Sequence, residues 1–409
     1  MMKALIVGVK YYNMSYDIDK SLDELVELCK ACNIEVAKKV VQNLDKINPS
    51  LYLGTGKVQE IKNDLDDIDI VIFDEELSPL QVKNLTDILD IEVTDRTDLI
   101  LRIFEVRAQS KEAKLQVEIA KGQYLLPRLA GMKEHLYSQQ GGFGFRGSGE
   151  KQIELDRRLI ANQITQAKRQ LAKIVKQRQT QRRKRKDNEL PVIALVGYTN
   201  SGKSTLLNAF CNNSSKHVLQ KNMLFATLQT ATRYIEINKC PCLMSDTVGF
   251  INRLPHQLID AFRSTLEEVL EADLLIHVVD ASNENYDQCI ETTNQVLKEL
   301  GIKDTPMIYA YNKIDLNKYG LVIPKEPYVF ISAKEHIGLD QLEKNISAIL
   351  FKDYAIYQLN IPYQDGEVFK YLHQHCLVLE SEYLENSIYM KISAHPGFIV
   401  RYKQYLLEN

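Results

Sequence analysis

The 409-residue chain has no uninterrupted apolar run approaching the roughly 18–20 residues that a spanning helix needs, which argues against an integral membrane protein. Its seven cysteines keep no regular spacing, and no basic and apolar leader occupies Met1 to Tyr11, so a reducing cytoplasm is expected rather than a secreted disulfide scaffold. Cys240 and Cys242 lack a second pair at zinc spacing. Cys29 and Cys32 fall at the end of an expected helix, the wrong end for lowering a thiolate pKa, and are read as packing residues. A net charge of −3 gives no overall sign of a polyanion binder. Acidic residues are nonetheless missing altogether between Asp156 and Asp187.

What is present begins with Leu190 to Ser204. An apolar strand, Val192 to Val196, runs into Gly197-Tyr198-Thr199-Asn200-Ser201-Gly202-Lys203-Ser204-Thr205 and then into the helix formers TLLNAF. That is a phosphate-binding loop: glycines let main-chain N–H groups wrap an anion, Lys203 reaches the outer phosphates, and the Ser204 hydroxyl ligates Mg²⁺. The base is indicated further on. Asn312-Lys313-Ile314-Asp315 follows the strand Met307 to Tyr311, and the Asp315 carboxylate can accept two hydrogen bonds from guanine that adenine cannot offer. Ser332-Ala333-Lys334, after a strand at Pro327 to Ile331, fits a second guanine-contacting loop. Between them, Asp246-Thr247-Val248-Gly249 places Asp246 to hold Mg²⁺ through water and the Gly249 N–H to sense a γ-phosphate. Thr227 in FATLQTATR is a candidate Mg²⁺-binding switch residue, although that stretch alone reads as a Thr-rich loop. GTP or GDP with Mg²⁺ is therefore the expected ligand set. Phe250 stands where many GTPases carry a water-orienting glutamine; Gln229 and His256 are the internal candidates for replacing it.

The length implies several domains, each with its own core. The fold class expected is α/β: an α/β N-terminal domain (1–107), a helical hairpin arm with a glycine-rich loop (108–189), a P-loop GTPase domain (190–352) and a small α+β domain (353–409). In the first, Leu53 to Val58 resembles a phosphate loop but has leucine at 51 and valine at 58; it is read as a strand-to-helix turn, with weak anion binding as the alternative. In the arm, Ala113, Val117, Ala120 and Tyr124 make one helical stripe, and Ile160, Ile164, Ala167, Leu171 and Ile174 a second, which the spacing pairs as an antiparallel seam. The connection, Gly141 to Lys151, is either a plain linker or an RNA-probing loop in which Phe143 and Phe145 stack on bases while Arg146 and Lys151 meet phosphates. Downstream, Lys168, Arg169, Lys173, Lys176, Arg178 and the run Arg182, Arg183, Lys184, Arg185, Lys186 form either a solvated face or an RNA-backbone surface; the one-sided excess favours RNA.

These motifs together resemble the HflX family of translation-factor-class GTPases. The resemblance covers nearly the full length and rests on GYTNSGKSTLLN, LFATLQTATR, DTVGFI with LPHQLIDAFRSTLEE, NKID, VTDRTDLILRIFEVRAQSKEAKLQVEIA and GGFGFRGSGEKQIELDRR. Gln229 departs from the acidic residue more usual in the family. The resemblance implies binding to the large ribosomal subunit near the peptidyl-transferase centre through the loop of the arm, with subunit splitting or rescue of stalled ribosomes under stress. It also implies, for some members, a second nucleotide in the N-terminal domain. A ribosome-assembly GTPase and a nucleotide-dependent RNA-binding scaffold are the alternatives. A monomer is expected rather than an obligate oligomer.

Overall fold

A computed structural model of the chain describes all residues except 1, 12–13, 15, 140–147, 187–189, 212–230, 254–267, 318–319, 321 and 408–409, with side-chain surroundings also left out at 130–153 and 178–189. The chain forms two compact units. The first comprises Met1–Val175, Met223–Leu228 and Arg253–Phe262; the second comprises Lys176–Asn222, Gln229–Asn252 and Arg263–Asn409.

The first unit is built on β1 (Met2–Tyr11), α1 (Ile18–Ala31), β2 (Ile34–Leu44), α2 (Thr55–Lys62), β3 (Ile70–Phe73), α3 (Pro79–Leu89), β4 (Glu92–Asp95) and α4 (Arg96–Arg107). Its four strands are all parallel, in the order β2-β1-β3-β4. Both faces are covered, as an all-parallel sheet requires. Leu5, Val7 and Val9 pack with Val58 and Ile61 of α2 and Leu85 and Leu89 of α3. On the opposite face α1 presses so closely on β1 that a Cβ at Gly8 would fall 2.8 Å from Ile18 Cδ1. Ser78 and Gln81 start α3 with a full capping box and Pro79 in its first turn. The Leu53 to Val58 stretch enters α2 with Gly54 as its cap, and the Gly54 N–H is taken by Gln42 Oε1 at 3.0 Å. Burial pushes the Cys29 thiol up to about 12 and Cys32 up to about 11, as packing thiols should behave.

Two long helices follow, α5 (Lys111–Gln139) and α6 (Ser148–Lys186). They form the expected hairpin, but with a different seam. Against Ile160, Ile164, Ala167, Leu171 and Ile174 stand Leu115, Ile119 and Leu126. Between them Gly122 lets the helices approach, since a Cβ there would lie 2.7 Å from Ile164 Cγ1. The stripe Ala113, Val117, Ala120 and Tyr124 is also buried, but α5 is covered on a second side by α3 and α4, and Tyr124 hydrogen-bonds Asp95 at the start of α4. A helix embedded on two sides carries two apolar stripes, and periodicity alone does not say which one meets a given neighbour.

The second unit contains β5 (Val192–Val196), α7 (Lys203–Phe210), β6 (Ala231–Ile237), β7 (Cys240–Asp246), β8 (Leu274–Asp280), α8 (Tyr286–Glu299), β9 (Met307–Asn312), β10 (Tyr328–Phe330) and α9 (Leu339–Leu350). Its six-stranded sheet runs β10-β9-β8-β5-β7-β6, parallel except for β6. A chain-terminal subdomain follows: β11 (Ala355–Pro362), α10 (Gly366–His375), β12 (Leu377–Tyr383), β13 (Ser387–Ala394) and α11 (Pro396–Ile399). Its antiparallel sheet is ordered β11-β13-β12 over its own core of Leu359, Ile361, Leu372, Met390 and Ile392. The subdomain closes on α11 and a 3₁₀ turn, Val400–Tyr405, kinked at Tyr402. No described helix is long and apolar enough to cross a membrane.

Candidate nucleotide site

The strands β5, β7, β8 and β9 deliver their carboxyl ends to one edge of the six-stranded sheet, where open α/β sheets bind ligands. Gly197 leaves β5 with φ +144°, and a Cβ on it would fall 2.3 Å from the Val278 carbonyl oxygen. Gly202, φ +97°, caps α7, and a Cβ there would meet Asn312 Nδ2 at 2.2 Å. Both glycines are therefore required by close approach as well as by φ.

Lys203 is buried at the start of α7, its ammonium donating to Gly197 O at 3.0 Å and Tyr198 O at 2.7 Å. Burial lowers its pKa to about 8; Asp246 opposes that shift and Lys313 adds to it. Ser204 Oγ donates to Asp246 Oδ2 at 2.5 Å, so two of the three residues expected to hold Mg²⁺ are already side by side. The Thr199 and Ser201 hydroxyl oxygens in the loop are buried without a hydrogen-bond partner among the described residues. Unpartnered polar atoms, a lysine short of counter-charge and a helix N-terminus make a cradle whose chemistry fits a phosphate with its divalent cation.

Gly249 closes over this loop. A Cβ on it would lie 2.8 Å from Thr199 Cα and 3.0 Å from Lys203 Nζ. The next residue, Phe250, is pinned by its main chain: its N–H donates to Gly197 O at 3.2 Å, and its carbonyl accepts the Thr199 N–H at 2.7 Å. The Phe250 side chain is 1% exposed and offers neither donor nor acceptor. Asn252 N–H then donates to the Tyr198 hydroxyl at 2.8 Å, and Thr292 Oγ1 donates to Asn252 Oδ1 at 2.7 Å.

On the base side Asn312 links two loops. Its Nδ2 donates to Ser201 O at 2.9 Å, and its Oδ1 accepts the Ala333 N–H at 2.9 Å. Lys313, φ +63°, pairs with Asp280 at 2.7 Å. Asp315 sits in a 3₁₀ turn, exposed. Ser332 Oγ accepts the Glu335 N–H at 3.2 Å, while Lys334 projects from the surface beside Glu335.

The geometry thus brings Gly197 to Thr205, Asp246, Gly249, Asn312, Lys313, Asp315 and Ser332 to Lys334 to one edge of one sheet. Thr227, Gln229, His256, Phe143, Phe145 and Arg146 lie outside the described residues. Lys151 and Arg182 to Lys186 are helical within α6, and their side chains lie outside the description. Lys168, Arg169, Lys173 and Lys176 are exposed along it. Sequence reasoning missed Asp280, whose place at the carboxyl end of β8 was a usable signal. It also missed the Tyr198 hydroxyl and the bridging role of Asn312. His277, buried on β8 with its pKa lowered to about 3 by desolvation and by Lys203 and Lys325, stays neutral, its ring tilted by 33° against Tyr309 with the centroids 5.2 Å apart.

Comparison with known proteins places these residues in company. Residues 19–105 match a GTP-binding GTPase N-terminal family, 107–185 a GTP-binding GTPase middle region, and 192–313 a 50S ribosome-binding GTPase family. The chain is 43% identical over 378 residues to a GTPase HflX of Caldanaerobacter subterraneus subsp. tengcongensis, covering 91% of this chain and 87% of that one. To GTPase HflX of Escherichia coli K12 it is 36% identical over 392 residues, 94% of this chain and 91% of that one. A GTP-binding protein of Sulfolobus solfataricus, solved in complex with GDP, is 27% identical, aligned over 85% of this chain and 98% of its own, with a TM-score of 0.43.

Proposed function

The chain belongs to the HflX family of GTPases, and we propose that it hydrolyses its GTP on the large ribosomal subunit and uses the cycle to split ribosomes or rescue stalled ones under stress. In this reading the work divides among 1–107, 108–189, 190–352 and 353–409 as the sequence pattern suggests. Gly197 to Thr205 hold the phosphates by main-chain N–H groups, with Lys203 set against their charge. Ser204, Asp246 and Thr227 are the residues that would hold Mg²⁺, which neutralises charge on the phosphates when bound. Asp315 reads the guanine edge, Lys313 and the Ser332 to Lys334 loop flank it, and Gly249 senses the γ-phosphate. Phe143, Phe145, Arg146, Lys151 and Arg182 to Lys186 meet ribosomal RNA.

The match of residues 192–313 to a 50S ribosome-binding GTPase family carries the choice of partner. The buried Phe250 supports a need for that partner, because no group at this position can orient water. Sedimentation of ribosomes mixed with the protein and a non-hydrolysable GTP analogue tests the proposal. The protein should travel with large subunits, and the intact-ribosome peak should fall as free subunits rise. Binding without any loss of intact ribosomes would favour an assembly role. Single-turnover hydrolysis equally fast with and without large subunits would remove the idea of activation by the ribosome.

A further inference from the structure

The strand β8 is buried from Leu274 to Val279 and ends on a carboxylate, Asp280, followed by Ala281 and Ser282. Asp280 lies in register with Asn312, the last residue of β9, and the Ala281 N–H donates to Asn312 O at 2.8 Å. Both carboxylate oxygens are engaged. Oδ1 accepts the Ser282 N–H at 3.0 Å and the Ser282 hydroxyl at 2.6 Å, while Oδ2 accepts Lys313 Nζ at 2.7 Å. Two donors from one neighbour fix the orientation of the carboxylate and leave its second oxygen for the lysine. Lys313 is held at its other end too, with φ +63° and its carbonyl accepting the Leu316 N–H at 2.9 Å. Its Cα follows the end of β9 and its ammonium sits on the end of β8, so its four methylenes run from one strand end to the next, two residues before Asp315. The pair is largely withdrawn from solvent, with the lysine side chain 20% exposed and the carboxylate 23%.

Unpaired, the Lys313 ammonium would be one more cation for the phosphates; it is near enough to Lys203 to lower the pKa of that residue. Paired with Asp280, its charge is already answered, and what it offers a ligand is the side of its alkyl chain. A flat ring laid on that chain gains apolar contact without the entropic cost of ordering a long flexible side chain, because Asp280 and Ser282 have ordered it beforehand. We propose that Asp280 is a positioning residue for guanine binding: oriented by Ser282, it clamps Lys313 across the ends of β8 and β9, so that the lysine methylenes form a preset platform for one face of the base. The inference rests on the reading above in which Lys313 flanks the guanine and Asp315 reads its edge. It adds that the carboxylate on β8 raises base affinity, through the lysine, in spite of carrying a charge of the same sign as the nucleotide.

The test is calorimetric titration of the full chain with GDP and with inorganic tripolyphosphate, which has phosphates but no base. Asp280→Asn keeps the size of the side chain, but with its amide oxygen on the Ser282 donors it turns an NH₂ toward the Lys313 ammonium. The variant should bind GDP roughly 3- to 10-fold more weakly, the range for one long side chain left to be ordered on binding. Tripolyphosphate should bind as tightly as to the parent or more tightly, because the substitution removes a negative charge and releases a positive one. A general loss of folding cannot weaken one ligand and spare the other. In a Lys313→Met background, which keeps an apolar chain but no ammonium, Asp280→Asn should change GDP affinity by less than about twofold, as two ends of one contact require. Unchanged GDP affinity in Asp280→Asn overturns the clamp, and equal weakening of GDP and tripolyphosphate overturns the platform. Undiminished weakening in the Lys313→Met background overturns the route through the lysine. The base preference of Asp315→Asn, measured with GDP against xanthosine diphosphate, reads the guanine-edge assignment separately, so the two readings fail independently.

Discussion

Replacing Asn312 with alanine strips the phosphate loop of one tie and the Ser332–Lys334 loop of another. The amide is 2% exposed, donates to Ser201 O and accepts from Ala333 N–H, both at 2.9 Å. Ser201 and Ala333 are themselves buried, so water does not readily replace either bond. A buried group left unsatisfied costs about 1–3 kcal/mol, and two of them cost roughly 2–6 kcal/mol, with relaxation placing the expectation near the lower half. Part of this appears as lost stability and part as lost nucleotide affinity, because Gly202 is seated against the same amide. If about 3 kcal/mol fell wholly on binding, GDP affinity would drop roughly 100-fold. Asn312→Asp sharpens the test: one oxygen still accepts the Ala333 N–H, but the other faces the Ser201 carbonyl oxygen with no proton between them, so this variant should be the worse of the two. Fluorescence titration with GDP, run beside thermal unfolding, reads both parts. An alanine variant that binds GDP and melts like the parent would refute the two-loop tie.

Asp315→Asn should weaken GTP and gain xanthosine triphosphate, whose C2 oxygen suits an amide donor; an unchanged base preference in competition binding would sink the assignment. Lys203 provides a pH signature. Its folded-state pKa of about 8 lies below the ordinary 10.5, so the unfolded chain binds more protons between these values, and stability of the nucleotide-free protein should rise with pH across that window. Lys203→Met should flatten that part of the stability curve, and bound nucleotide should flatten it too by supplying counter-charge; a parent curve without the rise contradicts the buried, unneutralised ammonium. Neutralising Arg182 to Lys186 should lower ribosome affinity and reduce the salt slope of binding by up to about 4, given five phosphate contacts. Deleting Gly141 to Gly149 should abolish action on ribosomes with GTP affinity intact, and loss of both together in nucleotide titrations would show that the loop supports the nucleotide site.

The motifs legible in the sequence are those whose chemistry and structural setting lie within a dozen consecutive residues. Val192 to Val196 followed by Gly197 to Ser204 carries its own strand, turn and helix start; the strand endings before Asn312 and Ser332 do the same. The α/β character of the first hundred residues was likewise legible, because short apolar runs alternating with amphipathic stretches belong to the chain itself. Tertiary structure decided matters that depend on partners far away in sequence. Which stripe of α5 meets α6 was settled by Gly122 against Ile164, since the other stripe is just as apolar and is covered by α3 and α4. Asn312 could be read as part of a base-recognition motif, but its bonds to Ser201 and Ala333 exist only once β5, β9 and β10 are aligned. Arg253 is one basic residue in a loop until folding sets it against Tyr16, Ser21, Asp74 and Glu75, nearly 180 residues or more away in the chain. Buried charge is tolerated only when its counter-charges converge on it, and such convergence is a property of packed strands and helices rather than of any window of sequence.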